Sequence, residues 1–121
     1  YAVMCVQHDY RPPEEYKMDQ VRQRPYERKN WSSLMLFNCA HEQVKKLTPY
    51  EVNTHTGLYL HQFKWLTDDV IGELPLTWNY LEGWHTAQDC PDPAAVHFTR
   101  GGPWFDNYQD VEYANEWKRY A

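Results

Sequence analysis

Apolar positions in this chain come in short blocks separated by polar stretches, and the blocks differ in period. Tyr1–Val6 is apolar with two valines, the pattern of a buried strand. Trp31–Phe37 contains the unbroken run Leu34-Met35-Leu36-Phe37, which predicts a central strand covered on both faces. Val70–Leu76 predicts a short extended segment before Trp78-Asn79, and Ala94–Thr99 predicts a third strand. Helical patterns lie between and after these blocks. Ala40–Leu47 is a short candidate, and Thr48-Pro49 supplies an N-cap followed by Pro at the first helical position. Gly57–Leu66 is apolar on most sides (Leu58, Leu60, Phe63, Trp65, Leu66) and predicts a buried helix. Asp110–Tyr120 repeats Val111, Ala114 and Trp117 three apart and predicts a closing helix. Two polar stretches remain: His8–Asn30, with Pro12, Pro13 and Pro25, reads as a long surface excursion, and Glu82–Pro93 as a loop. Alternating strands and helices predict an α/β fold, a mixed sheet with flanking helices in a single domain over residues 1–121.

Composition narrows the partners. Six Trp, ten Tyr and four Phe make the chain 17% aromatic, which suits a core of large side chains and, for some rings, a surface that stacks on sugars. A formal net charge of −5 argues against a general nucleic-acid binder. The one basic cluster, Arg22–Lys29, is interrupted by Glu27 and reads as a solvated loop. No run approaches the length of a membrane span, and no signal peptide is visible. Cys5, Cys39 and Cys90 are odd in number and widely spaced, so reduced thiols in a cytoplasmic protein are expected. In that setting Asn30-Trp31-Ser32 is a chance glycosylation match.

The candidate chemistry starts at Ala95–Trp104. A strand end delivers His97, and Gly101, Gly102, Pro103 and Trp104 follow. Glycines let a backbone approach a ligand closely, and a strand end opening into a loop is a common ligand position in α/β proteins. No two of the six histidines have the spacing of a zinc hydrolase. His8-Asp9 matches a metal-binding dipeptide of phosphohydrolases, but that fold is all-helical, unlike the strands expected here.

Four segments in order are similar to the C-terminal half of GT-A-fold (Rossmann-like) glycosyltransferases of the family 8 type: Trp31–Asn38, Leu60-His61-Gln62, Leu74–Asn79 and Ala95–Trp104. The run Arg28–Ser33 and His8-Asp9-Tyr10 resemble a bacterial and phage branch of that family. The resemblance implies a nucleotide-sugar donor and a carbohydrate or glycan acceptor. It implies Mn²⁺ held by His97 together with an Asp-x-Asp motif, the metal neutralising the departing diphosphate. His97, Arg100, Gly101, Gly102, Trp104, Trp31, Ser32 and Ser33 would then contact the donor. Gln62 and His61 would lie at the reacting sugar, and His8 and Asp9 on the acceptor side. The family Lys is missing, and Arg100 would supply its charge.

No Asp-x-Asp occurs, and the chain opens at Tyr1 inside an apparent strand. The expectation is therefore the rear part of a transferase, incomplete as it stands; its alternative is a non-catalytic binding or structural module derived from one. An exposed apolar face, leading to self-association or a partner chain, is expected in either case.

Overall fold

The computed structural model describes residues 1–10, 16–17, 21–22 and 27–121. Much of the expected excursion His8–Asn30, with its three prolines and part of the basic cluster, lies outside the described residues. The described chain forms two compact units: residues 1–10 with 27–75, and residues 76–121 with a short antiparallel ladder of β2 (Tyr16–Lys17) and β3 (Val21–Arg22). Both units are small mixed α/β arrangements, which does not single out a GT-A fold.

In the first unit β1 (Val3–Cys5) is the middle strand of three. It runs antiparallel to β4 (Leu36–Phe37), with Val3 opposite Phe37. It runs parallel to β5 (Ile71–Glu73), with Val3 opposite Ile71 and Cys5 opposite Glu73. Backbone bonds extend both ladders: Asn38 N donates to Ala2 O at 2.9 Å, Ala2 N to Val70 O at 2.8 Å and Leu74 N to Cys5 O at 2.8 Å. Ala2, Val3 and Cys5 are fully buried, as the pattern of Tyr1–Val6 predicts. Burial of Cys5 pushes its thiol up to about 11. Phe63, Leu66 and Ile71 complete this core, with Trp31, Val44, Trp65 and Val70 packed around it.

The segment Trp31–Phe37 is not the expected central strand. Trp31–Ser33 forms a 3₁₀ turn, and β4 is an edge strand with Leu36 58% and Phe37 37% exposed. A continuous apolar run does not reveal whether a second strand will cover it, and here β1 takes the middle place. Tyr1, Met35, Leu36 and Phe37 are exposed apolar residues, and Tyr1, Leu36 and Phe37 border a shallow recess of about 270 Å³.

Three short helices follow, each started by a local cap. His41 Nδ1 accepts from Gln43 N at 3.1 Å at the head of α1 (Glu42–Lys45). Thr48 Oγ1 accepts from Glu51 N at 3.3 Å, with Pro49 opening α2 (Pro49–Thr54) as expected. Thr56 Oγ1 accepts from Tyr59 N at 3.1 Å before α3 (Gly57–His61). The expected buried helix over Gly57–Leu66 is corrected at this point, because α3 stops at His61 and Leu58 is 51% exposed. Phe63 ends it in the left-handed region at φ 55°. Phe63 N donates to Leu60 O and Lys64 N to Tyr59 O, both at 3.1 Å. This is a Schellman termination with phenylalanine where glycine is usual. The left-handed backbone costs about 1–2 kcal/mol, and complete burial of the ring, worth about 1.5–3 kcal/mol, offsets it.

The second unit is built on β6 (Tyr80–Leu81) and β7 (Val96–His97), a parallel pair with Leu81 opposite His97. The third expected strand, Ala94–Thr99, shortens to β7, and β6 is an addition to the predicted elements. Tyr80 and Leu81 are fully buried. Tyr80 Oη donates to His85 O at 2.9 Å and meets the Glu112 carboxylate in a short hydrogen bond. Burial, and then that carboxylate, push the Tyr80 phenol well above its usual range. The closing helix α4 spans only Ala114–Tyr120, because Tyr113 before it is left-handed at φ 62° and stands edge-on to Tyr80 at 5.4 Å.

Phe63→Ala removes the ring that fills the core and leaves a cavity, so it should lower unfolding free energy by about 3–5 kcal/mol in urea titrations followed by fluorescence. At pH 8 a thiol at about 11 is only about one-thousandth thiolate. Exposed Cys39 should therefore be alkylated by iodoacetamide while Cys5 stays unmodified, as read by peptide mass spectrometry of the folded chain.

Candidate functional site

Two left-handed residues, Arg28 at φ 56° and Asn30 at φ 66°, turn the chain sharply into the 3₁₀ turn Trp31–Ser33. Ser33 Oγ donates to Asn30 O at 2.6 Å and holds the turn closed. The turn presents Trp31 inward and Ser32 toward α3. Trp31 Nε1 donates to His8 O at 2.8 Å, tying the turn to the segment that follows β1. Ser32 Oγ lies 2.7 Å from His61 Nδ1 at the last residue of α3.

Arg28 fastens this arrangement. Its guanidinium donates to Gln62 O at 2.9 Å and to Asp68 Oδ1 at 2.6 Å, and its carbon stands 5.2 Å from the centre of the Trp31 ring. A planar guanidinium suits this triple task, combining two hydrogen bonds with stacking on an indole. The hydrogen bond and charge of Arg28 hold the Asp68 carboxyl below its usual range. Of the residues singled out from sequence, His8, Trp31, Ser32, His61 and Gln62 are therefore joined in one part of the first unit. His8 and Gln62 are buried, and Asp9 is exposed beside them. Arg28 was absent from that candidate set. Its signal was weak: a basic residue in a run of basic residues, three before a tryptophan.

The remaining candidates lie in the second unit. His97 ends β7, and its carbonyl accepts from Glu82 N at 3.0 Å. Arg100 is committed to a carboxylate of the same unit, its Nη2 standing 2.9 Å from Oε1 of the buried Glu82. Thr99 Oγ1 donates to Glu82 O at 3.1 Å. Gly83, at φ 80°, makes room for that guanidinium, which a Cβ there would overlap. Gly102 serves Trp104 in the same way, since a Cβ would run into the indole. Trp104 is 48% exposed and sits among Phe98, Phe105 and Trp117 at ring distances of 5.5–5.9 Å. Gly101 is left-handed at φ 135°. No three His, Cys, Asp or Glu side chains gather as a metal site among the described residues. No helix among the described residues is long and apolar enough to cross a membrane.

Comparison with known proteins corrects the family reading. No family model matches the chain, and no solved structure matches it. A curated protein, Protein CDI of Arabidopsis thaliana, is 53% identical over 120 residues, covering 97% of this chain and 46% of its own length. The chain thus spans about half the length of the curated relative it matches. The resemblance to a bacterial and phage branch of family 8 glycosyltransferases is overturned by this relative, a plant protein of another name. With it falls the expected sugar transfer from a nucleotide-sugar donor, together with the alternative of a module derived from such an enzyme. The motifs that carried the resemblance are short strand ends and turns. In this structure Leu36-Phe37 is an edge strand, Leu76–Trp78 is a 3₁₀ turn, and Gly102 accommodates Trp104.

Replacing Arg28 by Gln should raise the Asp68 pKa toward the ordinary aspartate value, read by NMR titration of the side-chain carbons. The sign follows from linkage. A depressed carboxyl contributes stability above its unfolded pKa and loses it as pH falls through the folded value. The variant should therefore lose less stability between neutral and acid pH than the parent.

Proposed function

We propose that this chain recognises a small polyhydroxylated ligand at the surface formed by Ser32 and His61. The observation that supports this reading is the 2.7 Å pair between Ser32 Oγ and His61 Nδ1. When the Ser32 hydroxyl donates to Nδ1, the imidazole carries its proton on Nε2, and Ser32 Oγ keeps acceptor capacity. Because Nδ1 and Nε2 lie on opposite sides of the imidazole, this donor and this acceptor are set apart across the ring, and a ligand carrying several hydroxyl groups, each both donor and acceptor, complements the two. The two side chains are also positioned before a ligand arrives, because the turn is closed by Ser33 and α3 is terminated by the buried Phe63. Preorganisation reduces the ordering cost of binding. The site is open to water, so the affinity expected is in the millimolar range, about −4 kcal/mol.

Titration of the ¹⁵N-labelled chain with D-glucose, D-mannose and glycerol should give saturable shifts centred on His61 and Ser32. Ser32→Ala and His61→Ala should each weaken binding about fivefold or more, as expected from losing a hydrogen bond worth about 1 kcal/mol. Shifts of equal size in both variants, or none in the parent, would contradict the reading.

A further inference from the structure

In the first unit, helices α1, α2 and α3 border an open cleft of about 410 Å³ whose lining does not include Ser32 or His61. That volume lies within the range of small-molecule sites, about 300–1,000 Å³. Its walls combine rings and charges of both signs. His55 stacks on Tyr59 with ring centres 4.1 Å apart and planes 19° from parallel. Glu51 fixes that imidazole, its Oε2 standing 2.8 Å from His55 Nε2. The half-buried indole of Trp65 adds a second aromatic surface, and its Nε1 is occupied by Leu60 O at 3.3 Å. Lys46 lines the same cleft, and among the described residues it is in no ion pair, whereas Lys45 beside it is paired with Glu42.

We propose that this cleft binds a small zwitterion carrying an aromatic ring, of the aromatic α-amino acid class. The ring lies against the His55–Tyr59 stack and Trp65, where offset or edge contacts between rings are favourable. The ligand carboxylate meets the Lys46 ammonium, and the ligand ammonium meets Glu51, whose second carboxylate oxygen is not the one facing His55. A ligand with a single charge leaves either Lys46 or Glu51 without its complement. A ligand with charges and no ring leaves the stacked wall in water.

The test is a titration of the ¹⁵N-labelled full chain with L-phenylalanine, 3-phenylpropionate and phenethylamine, read at Tyr59 and His55. L-Phenylalanine should give saturable shifts, and each single-charge analogue should bind about fivefold more weakly, the scale of one partly exposed ion pair. Lys46→Gln should weaken L-phenylalanine about fivefold and leave phenethylamine unchanged. Glu51→Gln, which keeps a hydrogen-bonding group beside His55, should weaken L-phenylalanine and leave 3-phenylpropionate unchanged. The proposal is overturned if L-phenylalanine gives no saturable shift, if all three probes bind equally, or if Lys46→Gln has no effect. None of these results depends on sugar binding at Ser32 and His61.

Discussion

Strand β1 has hydrogen-bonded neighbours on both edges, and the first unit is organised around keeping it dry. Ala2, Val3 and Cys5 expose nothing to solvent, so every backbone group there must be paired within the protein. β4 meets that demand on one side and β5 on the other, with Asn38, Val70 and Leu74 extending the ladders. Phe63 and Leu66 reach this core from the end of α3. The Phe63 ring can do so only because its backbone takes the left-handed conformation that stops the helix. Burial of one ring thus sets where α3 ends, and therefore where His61 and Gln62 stand.

Arg28 makes the second connection. One guanidinium reaches the carbonyl of Gln62, the carboxylate of Asp68 and the face of Trp31. Those partners come from the end of α3, the start of the 3₁₀ turn before β5, and the turn before β4. The Ser32–His61 pair is consequently held from both sides. The second unit uses the same device, with Arg100 laid over Gly83 to reach the buried Glu82. In both units an arginine that reads from sequence as a solvated or phosphate-binding charge is engaged by a carboxylate of its own unit.

Local chemistry was legible in the sequence. Thr48-Pro49 starts a helix because a hydroxyl acceptor and a fixed φ act within one turn, and Ala2, Val3, Cys5 and Val6 are buried because they leave no polar face. Properties set by distant partners were not legible. Trp31–Phe37 is apolar enough for a central strand, yet β4 lies at the edge, and nothing within the run itself distinguishes the two. Gly57–Leu66 continues an apolar pattern through Phe63, where no glycine marks the stop. Trp31, Ser32, His61 and Gln62 were identified as candidates through a resemblance that the comparisons overturn, and the structure joins them for reasons of its own. Arg28 was noted only within the run Arg28–Ser33 and given no role at a site, because its partners lie 34 and 40 residues away, at Gln62 and Asp68.

The central claim is that Ser32 and His61 form one preorganised pair. Long-range ¹H–¹⁵N correlation of the imidazole nitrogens reads it directly, in the parent and in Ser32→Ala. The account predicts that the substitution shifts the His61 Nδ1 resonance and leaves both nitrogens of His55, paired with Glu51, where they were. An unchanged His61 Nδ1 resonance would contradict it.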